Sequence, residues 1–419
     1  MKPIRWVILA SAATLLLAAW FAWPVYEFYA HRGEAPMSPF GWHRIDGEVP
    51  ATQHAFDPRF EKAGSRALAL MSEHRSEINA PAVSAAVAFG GELVWVGAVG
   101  YSDIATEEPA TPRTIFRIGS TSKAITGTTL ARLVERQEIE LDAPLSRYLP
   151  ELPNAAWAEI TPRQLGSHSA GLPHYKENGD RVGQYWTVAL NRHYADVRDT
   201  LTLFDESPLL FDPGTDFYYS SLGTVLLGAV MSEVAGMPYR QLVQREVIDP
   251  AKMTDTFADG DRDSRTDRLA TFYYTSEGRF REWRDVDLSQ RLPGGGFVST
   301  PSDLARLGSM YFDQDYLSLQ TRETFWTPQR LADGEVNEQN YALGWRWREW
   351  EIDGVGIARN ANHGGVSRGS QCWLLVYPDY TMSMAFCINR KTDEFIEFGI
   401  LYEALFKAFA PVGTPLSSP

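Results

Sequence analysis

From Trp6 to Tyr26 the chain carries no charged residue, and this run is its strongest hydrophobic pattern. Lys2 and Arg5 precede it, and Trp20, Phe21, Trp23 and Tyr26 cluster at its far end. As a helix, Trp6 to Trp23 spans about 27 Å, close to the thickness of the bilayer hydrocarbon. The basic flank leaves residues 1–5 in the cytoplasm, and the aromatic cluster marks the far interface. The pattern therefore predicts one transmembrane anchor over residues 6–23. A cleaved signal peptide shares the charged start. The length of the apolar run and the lack of a small-x-small cleavage site favour retention. Residues 24–53 mix Pro, Gly, His and aromatic side chains without a period and read as a linker.

Further on, the periods alternate. Phe60, Ala63, Ala67, Leu70 and Met71 mark one side of a helix over 57–78. Val83 to Phe89 and Leu93 to Val99 are apolar runs split by Gly90-Gly91, a hairpin signal. A short run, Thr114 to Ile118, leads into a helix starting at Ser120. There Ala124, Gly127, Ala131 and Val134 share a face that Ile125, Leu130 and Leu133 broaden, which predicts a central, buried helix. Residues 160–275 read as mostly helical, with a start at Thr161-Pro162 and a stop at Gly171. Leu222 to Val234 is an apolar helix closed by Gly236. Pro293 to Gly296 predicts a turn, and Ser302 to Tyr311 a helix. Strands return at 342–347, 355–358, 371–377 and 382–389, followed by a closing helix over 393–409 and a flexible tail over 411–419.

Strands at both ends with helices between them predict one α+β domain over 54–410. Its antiparallel sheet, flanked by helices, draws on residues 54–119 and 335–410, and a mainly helical region, 120–334, is inserted. The reactive site belongs where sheet and helices meet.

Composition narrows the function. The 419 residues are 44% hydrophobic and 22% charged, an ordinary globular balance. A net charge of −14 without a basic run argues against nucleic-acid binding. The two cysteines, Cys372 and Cys387, flank a predicted hairpin with its turn at Pro378 to Thr381, which sets them directly opposite each other. A disulfide in an oxidising compartment and a pair of buried thiols both fit. The histidines form no His-Glu-x-x-His or close ligand pair, so neither metal nor cofactor is expected. Trp345, Trp347 and Trp373 could line a pocket, with core packing as the default assignment.

One Ser-x-x-Lys tetrad, Ser120-Thr121-Ser122-Lys123, stands at the head of the central helix. Residues three apart share a helix face, so a hydroxyl and an amine are placed as nucleophile and base. The tetrad alone occurs about once by chance in a chain of this length. Its surroundings add specificity: Phe116-Arg117-Ile118-Gly119 before it, Glu140-Leu141-Asp142-Ala143-Pro144-Leu145 after it, then Thr161-Pro162-Arg163-Gln164-Leu165-Gly166-Ser167-His168-Ser169-Ala170-Gly171-Leu172-Pro173 and Pro293-Gly294-Gly295-Gly296-Phe297.

With these motifs the chain resembles the serine β-lactamase-like hydrolases over about residues 80–409. That family includes class C β-lactamases, D-alanyl-D-alanine carboxypeptidases and esterases. Ala80-Pro81-Ala82, Gly100-Tyr101-Ser102-Asp103, His174-Tyr175 and Phe217-Tyr218-Tyr219-Ser220 are most similar to its mitochondrial serine β-lactamase-like branch. The resemblance implies Ser120 as nucleophile, Lys123 as neighbouring base, and Tyr219 as the tyrosine of a Tyr-x-Asn motif. It implies His363-Gly364-Gly365 as the Lys-Thr-Gly equivalent, and the backbone N–H groups of Ser120 and Val366 as oxyanion donors. Whether Lys123 or Tyr219 is the base stays open. His168 and Gly171 are expected to shape a loop beside the site.

Two departures affect the substrate. Ser221 stands where the family has Asn, and His363-Gly364 where it has Lys-Thr. A neutral His holds a carboxylate less firmly than Lys. The expected function is therefore a membrane-anchored serine hydrolase, single-pass in the inner membrane with its domain on the periplasmic side. It would act on a small-molecule or peptide substrate, as an amide or ester, with weak β-lactamase activity at most. Gly364 and Gly365 would let that substrate lie against their strand. A homo-oligomer is compatible with this reading. The alternatives are a catalytically impaired binding or self-assembling scaffold, and a cell-wall D-Ala-D-Ala carboxypeptidase.

Overall fold

The computed structural model describes residues 2–261 and 264–413. Its centre is an eight-stranded antiparallel sheet. The strands run in the order Arg346–Ile352, Gly356–Ser367, Ser370–Tyr377, Met382–Ile388, Ala82–Phe89, Glu92–Asp103 and Ala51–Ala55, with Glu108–Pro109 paired to Glu92–Asp103. The sheet thus joins the two ends of the chain, as the sequence pattern predicts for an α+β fold.

Strand Ser370–Tyr377 shows how the sheet divides the molecule. It is buried along its whole length, and its side chains alternate between two cores. Cys372, Leu374 and Val376 face the inserted helical region, while Trp373, Leu375 and Tyr377 face the terminal helices Glu61–Glu77 and Leu401–Phe409. A run apolar on both faces is what a central strand requires. Cys372 lies opposite Cys387, and Leu374 opposite Ala385, in the register expected from the hairpin. The two cysteines form a disulfide, which settles the choice the sequence left open. Trp345 and Trp373 are buried in the core.

The central helix runs Ser122–Glu135 and follows a short 3-10 turn, Gly119–Thr121, so Ser120 lies in that turn and not within the helix. Small residues let it sit deep. A Cβ on Gly127 would lie 2.6 Å from the Leu343 carbonyl oxygen. The expected strand at 342–347 is displaced to Arg346–Ile352 for the same reason. Gly344 takes φ +80° in a turn packed against the Lys123 and Gly127 backbone, which no strand could follow.

The inserted region is not wholly helical. Phe257–Ala258 and Phe297–Ser299 form a small sheet with Phe116–Arg117, and Tyr273–Ser276 and Arg279–Glu282 form another with Trp42–His43. These strands are two to four residues long, too short to show a period.

The boundaries near the N-terminus also differ. The apolar helix spans Lys2–Ala30, beyond the predicted end at Trp23. Among the described residues it is the one unbroken helix long and apolar enough to cross a membrane. Pro24 lies inside it, where the sequence reading stopped. A proline removes one helical hydrogen bond, yet the helix continues and is held against the domain on either side of it. Tyr185 Oη donates to the Phe21 carbonyl, and His31 stacks on Trp283 with ring centroids 4.4 Å apart. The stretch 24–53 is thus no free linker, and Ala51–Ala55 closes the sheet edge. Four of its five residues are exposed, so it carries no alternating signal. Residues 414–419 of the predicted tail lie outside the described residues.

Candidate active site

The site is built where the 3-10 turn at Ser120 meets strand Gly356–Ser367 and the start of helix Ser221–Ala235. Two glycines allow the approach. Gly119 takes φ +51°, and a Cβ on it would lie 2.5 Å from the Val366 carbonyl oxygen. A Cβ on Gly365 would lie 2.0 Å from the Ile118 carbonyl oxygen and 2.8 Å from the Ser120 nitrogen. Gly365 therefore seats the strand against the Ser120 turn. Gly364 packs the same strand against the ring of Phe395. The sequence reading gave both glycines to substrate, and the structure gives their bare faces to internal packing. Val366 itself is exposed beside the turn.

Lys123 is 1% exposed and has no carboxylate partner among the described residues. Its Nζ donates to the Gly294 carbonyl at 2.7 Å, to Ser221 Oγ at 2.9 Å and to Ser120 Oγ at 3.3 Å. Burial lowers its pKa, Tyr219 opposes that, and Arg346 and Arg291 add to it. Ser120 is half-buried, so its hydroxyl keeps access to the cleft.

Tyr219 is set by the helix that follows it. Ser220 caps helix Ser221–Ala235, accepting from the Gly223 N–H at 2.9 Å and donating to the Pro173 carbonyl at 2.6 Å. The Tyr219 ring centroid lies 4.7 Å from Lys123 Nζ and 5.2 Å from the Arg346 guanidinium. Burial would raise the phenol, but the Lys123 and Arg346 charges outweigh it and leave the pKa below its ordinary value. Two groups that normally hold their protons near pH 10 are thus both made easier to deprotonate, and they face one hydroxyl.

Ser221 is in the site but in a different role from the amide it replaces, as an acceptor for Lys123. His363 departs most from expectation. It is completely buried, with Nδ1 2.8 Å from the Gly364 carbonyl and Nε2 2.9 Å from Tyr341 Oη. A carbonyl only accepts, so Nδ1 carries the proton and Nε2 accepts from Tyr341. Burial, with Arg346 and Lys123 nearby, keeps the ring neutral well below its ordinary pKa. It supports Tyr341 from behind and does not reach the cleft.

Sequence reasoning missed Arg346, Tyr341, His174 and Gly294. Arg346 pairs in register with Asn362, next to His363, so a longer hairpin reading would have found it. His174 Nδ1 accepts from the Ser221 N–H at 3.1 Å, and burial with Lys123 and Arg291 lowers its pKa to about 3. His168, with φ +64°, accepts from the Ser220 N–H at Nδ1, the loop-shaping place expected of it.

The family model described as Beta-lactamase matches residues 68–405. The serine beta-lactamase-like protein LACTB, mitochondrial, of Mus musculus is 26% identical over 434 residues, covering 82% of this chain and 78% of the mouse protein. Penicillin-binding protein 4* of Bacillus subtilis is 26% identical over 327 residues, covering 75% of this chain and 69% of its own. Among solved structures, D-amino acid amidase from Ochrobactrum anthropi SV3 superposes with a TM-score of 0.69 at 20% identity, covering 83% of this chain and 99% of the amidase.

Proposed function

The chain belongs to the beta-lactamase family of serine hydrolases, and from that premise we propose that it hydrolyses a peptide, amide or ester through an acyl-enzyme on Ser120. The observation that carries the reading is Lys123, buried with no carboxylate partner among the described residues, 3.3 Å from Ser120 Oγ. A lysine so placed gives up its proton more readily than in water, which is what activating a serine needs.

In the proposed reaction, Ser120 Oγ bonds to the substrate carbonyl carbon as its proton passes to the Lys123–Tyr219 pair. The N–H groups of Ser120 and Val366 hold the oxyanion. Collapse breaks the bond to the leaving group, which takes the proton from the pair. Water then attacks the acyl-serine, its proton returns through the same pair, and the acid leaves. Whether the acting base is the amine or the phenolate, the pair must have lost one proton. β-Lactam turnover is expected to be weak, because His363 is neutral and enclosed and Ser221 is bound to Lys123.

The N-terminal helix serves, on this reading, as a single inner-membrane anchor with the domain on the periplasmic side. Its exposed apolar surface from Trp6 to Trp23 and the Cys372–Cys387 disulfide support that placement. A fluorophosphonate probe tests the chemistry. Wild type should be labelled and Ser120→Ala should not, with little nitrocefin turnover. Folded wild type that takes no label between pH 6 and 9 would overturn the acyl-enzyme, and rapid nitrocefin hydrolysis would overturn the substrate preference.

A further inference from the structure

Arg32, Arg284 and Arg291 surround Arg368, and carboxylates answer only two of these four arginines. Arg32 pairs with Glu34 at 2.6 Å, and Arg284 faces Glu27 at 3.6 Å. Arg291 and Arg368 have no acid partner among the described residues. Arg291 is 8% exposed, lies over the Tyr175 ring at 4.2 Å and donates from Nη2 to the Thr187 carbonyl at 2.7 Å, while its Nε has no partner. Arg368 is half-buried, 4.9 Å from the Phe28 ring centroid and 5.9 Å from that of Trp283. Its guanidinium donates no hydrogen bond among the described residues. Burial lowers the Arg368 pKa to about 9, and Arg291, Arg284 and Arg32 add to the depression.

Arg368 is close to the chemistry. It lies two residues beyond Val366, about 7 Å of extended chain, in the turn between strands Gly356–Ser367 and Ser370–Tyr377. Arg117 holds that turn, donating from Nη1 to the Arg368 carbonyl at 3.3 Å. A guanidinium without an acid partner can bind an oxyanion through two parallel hydrogen bonds, and Arg291 has a buried Nε left without a partner.

We infer that Arg368 and Arg291 form an anion subsite of the Ser120 centre, so that the substrate is an ester or amide carrying a carboxylate or phosphate. This rests on the acyl-enzyme reading and adds what the site selects. Recognition of the anion then lies beyond Val366, in the turn that follows the strand, and not at the enclosed His363.

The test uses the full chain and three esters. These are neutral 4-nitrophenyl butyrate, 4-nitrophenyl hemiglutarate with its anion on the acyl side, and butyryl 4-hydroxybenzoate with its anion on the leaving side. At least one anionic ester should exceed the neutral one in kcat/KM by tenfold or more. Arg368→Gln should erase that preference with neutral-ester kcat/KM within about threefold of wild type, and Arg368→Lys should keep part of it. Equal losses on all three esters, or a preference that survives Arg368→Gln, would overturn the subsite. Inhibition by glycerol phosphate identifies a soluble anion as the natural class. Inhibition by phosphatidylglycerol vesicles alone identifies a lipid headgroup, and inhibition by neither counts against the proposal. If Ser120 proves inert, calorimetric titration of Ser120→Ala with glycerol phosphate still decides the matter. Binding that Arg368→Gln removes supports the subsite, and no binding sinks it.

Discussion

Arg117 and Lys123 lie three residues either side of Ser120, and both are buried, at 6% and 1% exposure. Their surroundings are opposite. Arg117 Nε meets Asp259 Oδ2 at 2.6 Å and its guanidinium lies over Phe272 at 4.3 Å. Lys123 meets two hydroxyls and a carbonyl. Taking an ammonium or guanidinium out of water costs several kcal/mol unless an opposite charge offsets it. At Arg117 the offset is present, and the residue ties the strand before Ser120 to the loop that carries Arg368. At Lys123 it is absent, so the charge itself is destabilised. One short segment thus uses the same burial for structure on one side of the serine and for reactivity on the other.

Replacing Lys123 gives the largest expected effect. Lys123→Met should lower kcat/KM by about 10³, within the usual range for losing a positioned acid–base group, with the melting temperature unchanged or raised. A Lys123→Met protein that melts well below wild type would break the comparison, because Lys123 would then be structural as well. Arg117→Met should do the reverse. Leaving Asp259 buried and unpaired should cost about 3–5 kcal/mol of stability, measured by urea unfolding. The double variant Arg117→Met with Asp259→Leu should recover most of that loss. No recovery would mean that the pair is not what Arg117 contributes.

A smaller loss is expected at Gly365. Gly365→Ala must move the strand away from the Ser120 turn, since its Cβ would sit 2.0 Å from the Ile118 carbonyl oxygen. A displacement near 1 Å between reacting groups costs about 10²-fold in rate. The loss should fall on kcat, with fluorophosphonate labelling slowed but Arg117 and the fold intact. Wild-type kcat in this variant would show that the close approach does not set the geometry.

The reactive side of this comparison was legible in the sequence where chemistry follows local order. Ser120 and Lys123 are three residues apart, so short-range rules bring them together, while Tyr219 was expected only from the family resemblance. The sheet was legible because strands such as Ser370–Tyr377 are apolar throughout. What the sequence concealed depends on long-range packing. The Gly365 face is decided by contact with Ile118, 247 residues away. His363 reads as a cleft residue by motif, yet Tyr341 and the Gly364 carbonyl hold it inside. Arg291 and Arg368 share no motif, and only the fold brings them together. The edge strand Ala51–Ala55 escaped because an exposed strand has no pattern to show.

The smallest expected effect concerns what holds the reactive side neutral. Lys123 is surrounded by histidines kept uncharged by burial, and His174 makes this testable because its pKa lies at about 3 in the folded protein. The ordinary value is about 6.5. Between these two values the unfolded chain binds the proton and the folded chain does not. Stability contributed by the neutral ring is therefore complete above 6.5 and falls as pH drops, by at most about 1.4 kcal/mol per pH unit from this one group. Below pH 3 both states are protonated and this slope vanishes. His174→Asn keeps an oxygen able to accept from the Ser221 N–H but cannot titrate. Its melting temperature should therefore decline less steeply than that of wild type between pH 6.5 and 4.5. The Arg117–Asp259 side contains no imidazole among its described contacts, so Arg117→Met should instead lower the whole curve and flatten its acid slope, because the unpaired Asp259, already raised by burial, takes up a proton as pH falls. If His174→Asn and wild type decline in parallel, the imidazole beside Ser221 is not held neutral by burial, and one support for a weakly protonated Lys123 is removed.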